Sequence, residues 1–184
     1  MELQQAIEKR RTIRKFQGPA TEDQLKRILA AGTLAPSGMN KQNWEFVAVD
    51  DQEVIDQIGQ VKYVLVRGKA AGEEVPEEQE KTALKQKESF KNASLIVVYC
   101  NRELADAAGP WCCIQNMLLA AVAEGLGTRI ARIGGDASGQ VNAILHAPQQ
   151  MELVAAISIG VPAEEPAPRK LRPEGSWLHR NRFS

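Results

Sequence analysis

Two basic segments near the ends of the chain carry side chains suited to binding a phosphate. In the first, RRTIRKF at residues 10–16, Arg10, Arg11 and Arg14 surround the hydroxyl of Thr12. Guanidinium groups are planar and permanently charged, so each can donate two hydrogen bonds to one phosphate. A basic run is more often a solvated surface than a binding site. The spacing alone therefore leaves both interpretations open.

The second basic segment is PRKLRP at residues 168–173, which contains Lys170 and Arg172. By itself it is equally typical of a disordered basic tail. Two cationic segments repel each other if the fold brings them together without an anion. A bound phosphate gives a reason for the presence of both, so we expect Lys170 and Arg172 to converge with Arg10 and Arg14 on one phosphate group.

A polar loop, APSGMNKQNW at residues 35–44, leads into a predicted strand. The side chains of Ser37, Asn40 and Gln42 offer donors and acceptors that could bind the polar edge of a heterocycle. The preceding Pro36 limits the conformations of this loop. Taken alone, however, the segment is explained more simply as an ordinary turn.

A glycine-rich turn, RIGG at residues 132–135, follows the predicted end of another helix and strand. Gly134 and Gly135 have no Cβ, so the backbone N–H groups from Ile133 to Gly135 can approach a ligand closely. The alternative is a plain turn between a strand and a helix. The segment does not match the G-x-G-x-x-G fingerprint, which argues against a Rossmann dinucleotide site.

The remaining reactive side chains do not suggest a catalytic or metal site. His146 closes a predicted helix and His179 lies in the tail, so we expect both to be structural or exposed. Cys112 and Cys113 stand in an apolar helix, where free cysteine is typically a small buried hydrophobe, and we expect Trp111 beside them to pack in the core. No C-x-x-C spacing is present, which argues against zinc or iron–sulfur binding.

Composition excludes several classes of protein. The chain of 184 residues has 23 basic and 23 acidic side chains, hence no net charge, which argues against a nucleic-acid-binding protein. It has no secretory signal and no apolar run of the roughly 20 residues that a membrane span needs. Three cysteines, two of them adjacent, do not suggest disulfides, so a cytoplasmic location is expected. The length fits a single domain over residues 1–184, with a C-terminal arm at about 163–184.

Hydrophobic periodicity and turn residues predict an α+β fold. Thr21 and Gln24 form a capping-box pattern at the start of one helix, and residues 93–100 form a continuous apolar run typical of a strand buried on both faces. The helix over 107–124 is apolar nearly all round, so it is either central to the domain or partly buried in a subunit interface. Helices are predicted over 2–11, 21–32, 51–60, 77–90, 107–124 and 136–146, strands over 44–49, 93–100 and 151–162, a strand followed by a loop over 128–135, and a loop over 66–76.

Taken together, the motifs resemble those of the nitroreductase family over nearly the whole chain. RRTIRKF is similar to the family's opening flavin-phosphate motif, with Thr12 where a serine is more usual. APSGMNKQNW is similar to its Pro-Ser-x-x-Asn-x-Gln-Pro-Trp loop, with Asn43 in place of the proline. QNMLLAAVAEGLGT at residues 115–128 resembles its long core helix and the turn that follows. RIGG stands where the family places backbone donors against the flavin ring.

This resemblance implies a sandwich with a central antiparallel sheet flanked by helices, assembled as an intertwined homodimer with FMN at the interface. It also implies ping-pong electron transfer from NADH or NADPH to a small-molecule acceptor such as a nitroaromatic or a quinone, with residues 61–92 shaping the acceptor pocket. In this interpretation the flavin N5 carries the chemistry and no side chain is a general acid, while Trp177 and Phe183 hold the arm on the partner subunit. The alternative is a flavin-binding protein or sensor without physiological turnover. The residues expected to bind FMN are Arg10, Arg11, Thr12, Arg14, Pro36, Ser37, Asn40, Gln42, Ile133, Gly134, Gly135, Lys170 and Arg172.

Overall fold

A central antiparallel sheet organises the chain, whose computed structural model describes residues 1–69, 73–104, 106–173 and 175–183. The strands in these ranges are β1 Phe16–Pro19, β2 Glu45–Val49, β3 Ser94–Asn101, β4 Gly127–Ala131 and β5 Met151–Pro162. In the sheet, β5 pairs with β1, β3 and β4, and β3 also pairs with β2. The helices are α1 Leu3–Lys9, α2 Glu22–Thr33, α3 Gln52–Arg67, α4 Glu77–Glu88, α5 Gly109–Ala123 and α6 Asp136–Ile144.

Strand β3 is buried on both faces, as its continuous apolar run predicts. Ile96 and Val98 point into a core that is shared with α2 and α5. Leu95 and Val97, on the opposite face, point into a second core that is shared with α3 and α6. The α+β class and the central antiparallel sheet with helices on both faces are therefore confirmed.

Helix α5 packs tightly against α2 because a glycine lies between them. A Cβ on Gly32 would come within 2.7 Å of Met117 Cγ, so only glycine allows this approach. Cys113 is buried on this side of α5. The expectation that Cys112 and Trp111 are also buried is wrong for the single chain: Cys112 is exposed and Trp111 is 39% exposed, because they lie on the outward face of the helix.

Helix α3 is longer than the sequence indicates. The loop expected from residue 66 begins only after Arg67, where Gly68 adopts a left-handed conformation with φ 71° and its N–H bonds to the carbonyl of Val64. Arg67 explains the extension in part, because its Nε lies 2.7 Å from Glu80 Oε2 of α4. This contact joins α3 to α4, so both helices form one unit beside the sheet. None of the helices in the described ranges is long and apolar enough to cross a membrane.

Candidate functional site

The N-terminal basic segment is held on strand β4 by a single backbone contact. The Ile13 N–H donates to the Thr128 carbonyl at 2.9 Å, in a parallel bridge that also pairs Thr12 with Thr128. The Ile13 side chain is buried against Gly127, where a Cβ would come within 2.6 Å of Ile13 Cγ1. Because Ile13 points inward, its neighbours Thr12 and Arg14 are exposed.

The C-terminal arm contacts this segment, but through residues other than Lys170 and Arg172. Arg169 Nη2 donates to the Arg10 carbonyl at 2.6 Å, and Glu164 Oε1 accepts the Arg14 N–H at 2.5 Å. The arginine that makes the contact is Arg169, which had not been singled out. Lys170 and Arg172 are exposed and line a separate shallow depression with Leu171 and Trp177.

Arg10 and Arg11 lie in a crowded cationic environment. Burial, and then the charges of Arg169 and Arg11, lower the pKa of Arg10. Arg11 Nη1 donates to the carbonyls of Glu8 at 2.5 Å and Arg10 at 2.9 Å. The side chain therefore gives hydrogen bonds to free backbone carbonyls at the C-terminal end of α1, where a positive charge is favourable. Within the described residues, neither Arg10 nor Arg14 forms an ion pair.

A buried arginine of β4, missed in the sequence analysis, extends this cationic region into the protein. Arg129 is only 3% exposed. Its guanidinium carbon lies 4.7 Å from the centre of the Phe90 ring, and Nη2 donates to Gln86 Oε1. Its Nη1 has no hydrogen-bond partner among the described residues. Burial and the nearby Arg14 lower the pKa of Arg129 to about 10.

Lys62 of α3 feels the charge of Arg129 and bonds the start of the glycine-rich turn. Its Nζ donates to the Arg132 carbonyl at 2.7 Å, and burial together with the charge of Arg129 lowers the Lys62 pKa. In the sequence, Arg129 stands out as an arginine within an otherwise apolar strand. Only the structure shows that, among the described residues, no acidic side chain pairs with it.

The turn after β4 leaves open space for a ligand. Gly134 and Gly135 are exposed, nothing lies within 4 Å of where either Cβ would be, and Gly135 has a positive φ of 62°. Ser138 Oγ donates to the Gly135 carbonyl at 2.7 Å and holds the turn at the start of α6. The Ile133 side chain is buried in the core, so only its backbone can face a ligand.

The polar loop before β2 is held in an unusual conformation. Met39, Asn40 and Gln42 all have positive φ values, which non-glycine residues rarely adopt. Ser37 Oγ accepts the Gln42 N–H at 2.9 Å, and Asn40 Oδ1 accepts a bond from Gln42 Nε2 at 3.3 Å. Pro36 is exposed at the start of the loop. Such strain is concentrated at ligand-binding sites because the surrounding structure must maintain it.

Asn43 anchors this loop to the end of β3. Its buried amide donates to the carbonyls of Asn101 at 3.1 Å and Asp106 at 3.2 Å, and its Oδ1 accepts the Asn101 N–H at 2.7 Å. The asparagine therefore supplies by hydrogen bonding the rigidity that a proline would supply covalently. Among the described residues, no hydrogen bond or ion pair joins the polar loop to the basic N-terminal segment.

We expect Asn43→Ala to lower the free energy of unfolding by about 1–3 kcal/mol, because it leaves buried backbone groups of Asn101 and Asp106 without partners. Urea denaturation followed by circular dichroism measures this change. The control is Gln52→Ala, which removes only an exposed bond to Asp56 and should change stability by less than about 0.5 kcal/mol. Equal effects of the two substitutions would contradict the anchoring role.

Neither histidine belongs to the basic N-terminal segment, the polar loop or the glycine-rich turn. His146 follows α6 with φ 52°, and the His179 ring lies 4.8 Å from that of Phe183 in the arm. Across the described ranges no cluster of histidine, cysteine, aspartate or glutamate could hold a metal ion. The arrangement instead offers cations, unpaired donors and an open backbone turn, which fit a flat ligand that carries an anionic group.

Comparison with known proteins agrees with this architecture. A Methanothermobacter thermautotrophicus protein, provisionally named NADH dehydrogenase/NAD(P)H nitroreductase, is 29% identical over 181 residues that cover 93% of this chain and 83% of that protein. The 5,6-dimethylbenzimidazole synthase of Rhodospirillum rubrum is 32% identical over 173 residues, covering 85% of this chain and 80% of the synthase. A solved structure of oxidized iodotyrosine deiodinase bound to FMN and 3-iodo-L-tyrosine has a TM-score of 0.81 at 25% identity, covering 99% of this chain and 100% of that one.

The sequence profile of the Nitroreductase family matches residues 7–161, which extend from α1 to the last pairs of β5. The match therefore includes the basic N-terminal segment, the strained loop and the glycine-rich turn. Together with the fold, it shows that this chain belongs to the nitroreductase family.

Proposed function

We propose that the protein is an FMN-dependent NAD(P)H oxidoreductase that reduces small-molecule acceptors such as nitroaromatics or quinones. The observation that carries this proposal is the cationic region of Arg10, Arg14, Arg129 and Lys62. Lys62 links this region to the open turn at Gly134–Gly135, because its Nζ donates to the Arg132 carbonyl just before the turn. Within the described residues none of these four side chains forms an ion pair, and the Glu164 carboxylate accepts only the backbone N–H of Arg14 and Lys15 in this segment. FMN matches it chemically, because FMN combines a phosphate with a flat ring that has a polar edge.

Each part of the region has a different task in this proposal. Arg10, Thr12 and Arg14 bind the phosphate, and Lys170 and Arg172 of the arm add to the positive charge around it. Arg11 supports the same segment through the end of α1. The backbone N–H groups from Ile133 to Gly135 face the ring and stabilise the charge that develops there. When bound, FMN supplies hydride and electron transfer, and the protein orients and tunes it.

The strained loop completes the site from a second subunit. Pro36, Ser37, Asn40 and Gln42 are held rigidly, but within one chain they are not bonded to the basic segment. In a homodimer with FMN at the interface, the loop of one subunit can contact the cofactor of the other. The deiodinase structure that binds FMN has the same fold along its whole length, which supports FMN as the ligand of this fold.

We expect the protein to be an obligate homodimer. The single chain exposes 39% of Trp111, 57% of Trp177 and 90% of Phe183, and apolar surface of this kind typically marks an interface. Obligate interfaces commonly bury more than ~2,000 Å² in total. Sedimentation equilibrium should give twice the 20.2 kDa chain mass, whereas a stable flavin-loaded monomer would contradict the proposal.

The identity of the acceptor rests on the region between β2 and β3. Residues 61–92 include the end of α3 and all of α4, and we propose that they shape the acceptor pocket. The names of the three relatives cover a nitroreductase, a synthase and a deiodinase, so one fold supports several substrates.

The free thiols of Cys100, Cys112 and Cys113 support a cytoplasmic protein, because cysteines stay reduced there.

The proposed activity requires that NADH or NADPH reduce the bound flavin and leave before the acceptor binds. We therefore expect anaerobic NADH or NADPH to bleach the flavin spectrum. Steady-state kinetics with a panel of nitroaromatics, quinones and free flavin should give parallel double-reciprocal lines, because one ring face serves both substrates in turn. A flavin that neither nucleotide reduces would indicate a binding protein or sensor, and intersecting lines would exclude the ping-pong order.

A further inference from the structure

A cavity beside helix α4 is lined mainly by positive side chains. It has a volume of about 650 Å³ and lies between the start of β1, helix α4 and the beginning of the C-terminal arm. Its charged lining residues are the cations Arg14, Lys15, Lys85 and Lys91 and the acids Glu88 and Glu164. The whole chain has no net charge, so this local excess of positive charge does not follow from the composition.

Both acidic side chains of the cavity already have partners. Glu88 forms an ion pair of 2.8 Å with the fourth cation, and Glu164 Oε1 accepts the backbone N–H groups of Arg14 and Lys15. Within the described residues, the side chains of Arg14, Lys15 and Lys85 form no ion pair. One carboxylate therefore stands against three unpaired cations, and the cavity keeps a positive potential that attracts an anion.

The same cavity has an apolar wall. Phe16 is buried in this wall, while Leu84 of α4 is 44% exposed although its side chain is large and apolar. Asn92 also lines the cavity and has a φ of 56°, a left-handed conformation that asparagine tolerates better than most residues. Pockets that combine an apolar wall with a few polar groups are typical sites for small molecules. The cavity therefore fits a ligand that carries both a phosphate and a flat base.

The cavity adjoins the proposed FMN site but has recognition groups of its own. Arg14 belongs to both, and the residue before it, Ile13, is bonded to Thr128 of β4, the strand that leads to the glycine-rich turn. Helix α4 supplies Leu84 and Lys85 to the cavity and none of the FMN contacts proposed above. A second molecule that must reach the flavin can use these groups without displacing the cofactor.

We propose that this cavity binds the adenosine end of the electron donor and that its cations recognise the 2′-phosphate of NADPH. The inference rests on the proposed function and names the donor within it. NADPH differs from NADH only in this phosphate, and a phosphate monoester carries about −1.5 to −2 charge at neutral pH. Leu84 packs against the adenine, while Lys15 and Lys85 contact the phosphate. The protein therefore prefers NADPH to NADH.

The test compares how fast NADPH and NADH reduce the FMN of the wild-type protein and of Lys85→Ala, by anaerobic stopped-flow spectroscopy. We expect the second-order rate constant of the wild type to be at least about tenfold higher with NADPH, since a hydrogen bond between charged groups is worth about tenfold or more in affinity. Lys85→Ala should lose most of this preference by slowing with NADPH alone. Added salt should reduce the preference of the wild type, because it screens exposed charges.

Two further variants separate the phosphate from the rest of the donor. Lys81→Ala is the matched control, because Lys81 is an exposed lysine one turn earlier on α4 that pairs with Glu77 and lies outside the cavity lining; it should change neither rate constant. Leu84→Ala should slow reduction by NADPH and NADH alike, because both contain the adenine.

A direct titration tests the cavity without flavin chemistry. Isothermal titration calorimetry of the FMN-loaded wild type should show that adenosine 2′,5′-bisphosphate binds at least about tenfold more tightly than adenosine 5′-monophosphate, which lacks the 2′-phosphate. Lys85→Ala should remove most of this difference, whereas Lys81→Ala should keep it.

The contrary outcomes are distinct. Equal rate constants with NADPH and NADH in the wild type, or equal losses for both in Lys85→Ala, would overturn the inference. Weaker FMN binding in Lys85→Ala would show that the cavity belongs to the cofactor site and would also overturn it. A wild-type flavin that neither nucleotide reduces would reject the proposed function itself, and equal binding of the two adenosine phosphates would then overturn the 2′-phosphate site as well.

Discussion

Replacing Arg10 with alanine should weaken FMN binding by roughly ten- to a hundredfold. A hydrogen bond to a charged group contributes about 1.5–3 kcal/mol, and each ~1.4 kcal/mol changes affinity tenfold. Arg10 is the arginine whose carbonyl the arm contacts through Arg169, so its side chain stands where the two basic segments meet. Titration of the FMN-free protein, followed by quenching of flavin fluorescence, measures the change.

Riboflavin separates a phosphate contact from general damage, because it lacks the phosphate. Its affinity should fall little in Arg10→Ala. Lys81→Ala is the matched control for charge, since Lys81 is an exposed residue of α4 whose one ion pair within the described ranges is with Glu77; it should change neither affinity. Lys87 would be a poorer control because its Nζ bonds Gln60 Oε1 at 2.7 Å between α3 and α4. Equal losses of affinity for FMN and for riboflavin in Arg10→Ala would show that Arg10 does not bind the phosphate.

Gly127→Ala should damage stability and cofactor binding together. The new Cβ would lie 2.6 Å from Ile13 Cγ1 and 2.8 Å from Ile13 Cβ, so the N-terminal segment must move away from β4. Overpacking of this kind typically costs about 1–3 kcal/mol. The displacement also breaks the bond from the Ile13 N–H to Thr128, which positions Thr12 and Arg14. We expect a lower unfolding midpoint in urea and at least about tenfold weaker FMN binding.

Gly139→Ala is the control for the loss of a glycine. Gly139 lies within α6 and has open space around the position of a Cβ, so alanine should raise stability by up to about 1 kcal/mol through its better helix propensity. FMN affinity should stay the same. If Gly127→Ala bound FMN normally, the contact between Ile13 and β4 would not be what positions the basic segment.

Within the described residues, local patterns predicted the six α-helices and four of the five strands, but not β1 at Phe16–Pro19. The capping box of Thr21 and Gln24 forms at the start of α2 as expected, because all its atoms belong to one turn of chain. The apolar run of β3 is buried on both faces, since alternate side chains of a central strand must enter opposite cores. The predicted helix over 51–60 ends too early, since α3 continues to Arg67. The ion pair of Arg67 with Glu80 joins residues of two different helices, so no short stretch of sequence indicates it.

The candidate site, like the fold, could be predicted from the sequence only in part. The resemblance of the basic segment, the strained loop and the glycine-rich turn to one family identified the residues to consider, and the loop's three positive φ values agree with its unusual composition. Asn43 shows the limit of motif reading. It stands where the family motif has a proline, and its hydrogen bonds to Asn101 and Asp106, which the motif does not indicate, hold the loop in place.

The amino-acid sequence by itself determined most of the elements, the family and the segments that carry charge, because these follow from periodicity, capping and motifs within short stretches of chain. The short strand β1 pairs only with the distant β5, so no local pattern predicted it. Only the tertiary structure decided which cations lack partners. Arg129 is separated by 43 residues from Gln86, the acceptor of its one side-chain bond, and Arg169 by 159 residues from Arg10. Burial and pairing depend on side chains that the fold brings together from distant segments, and the energetic cost of an unpaired charge exists only once they meet.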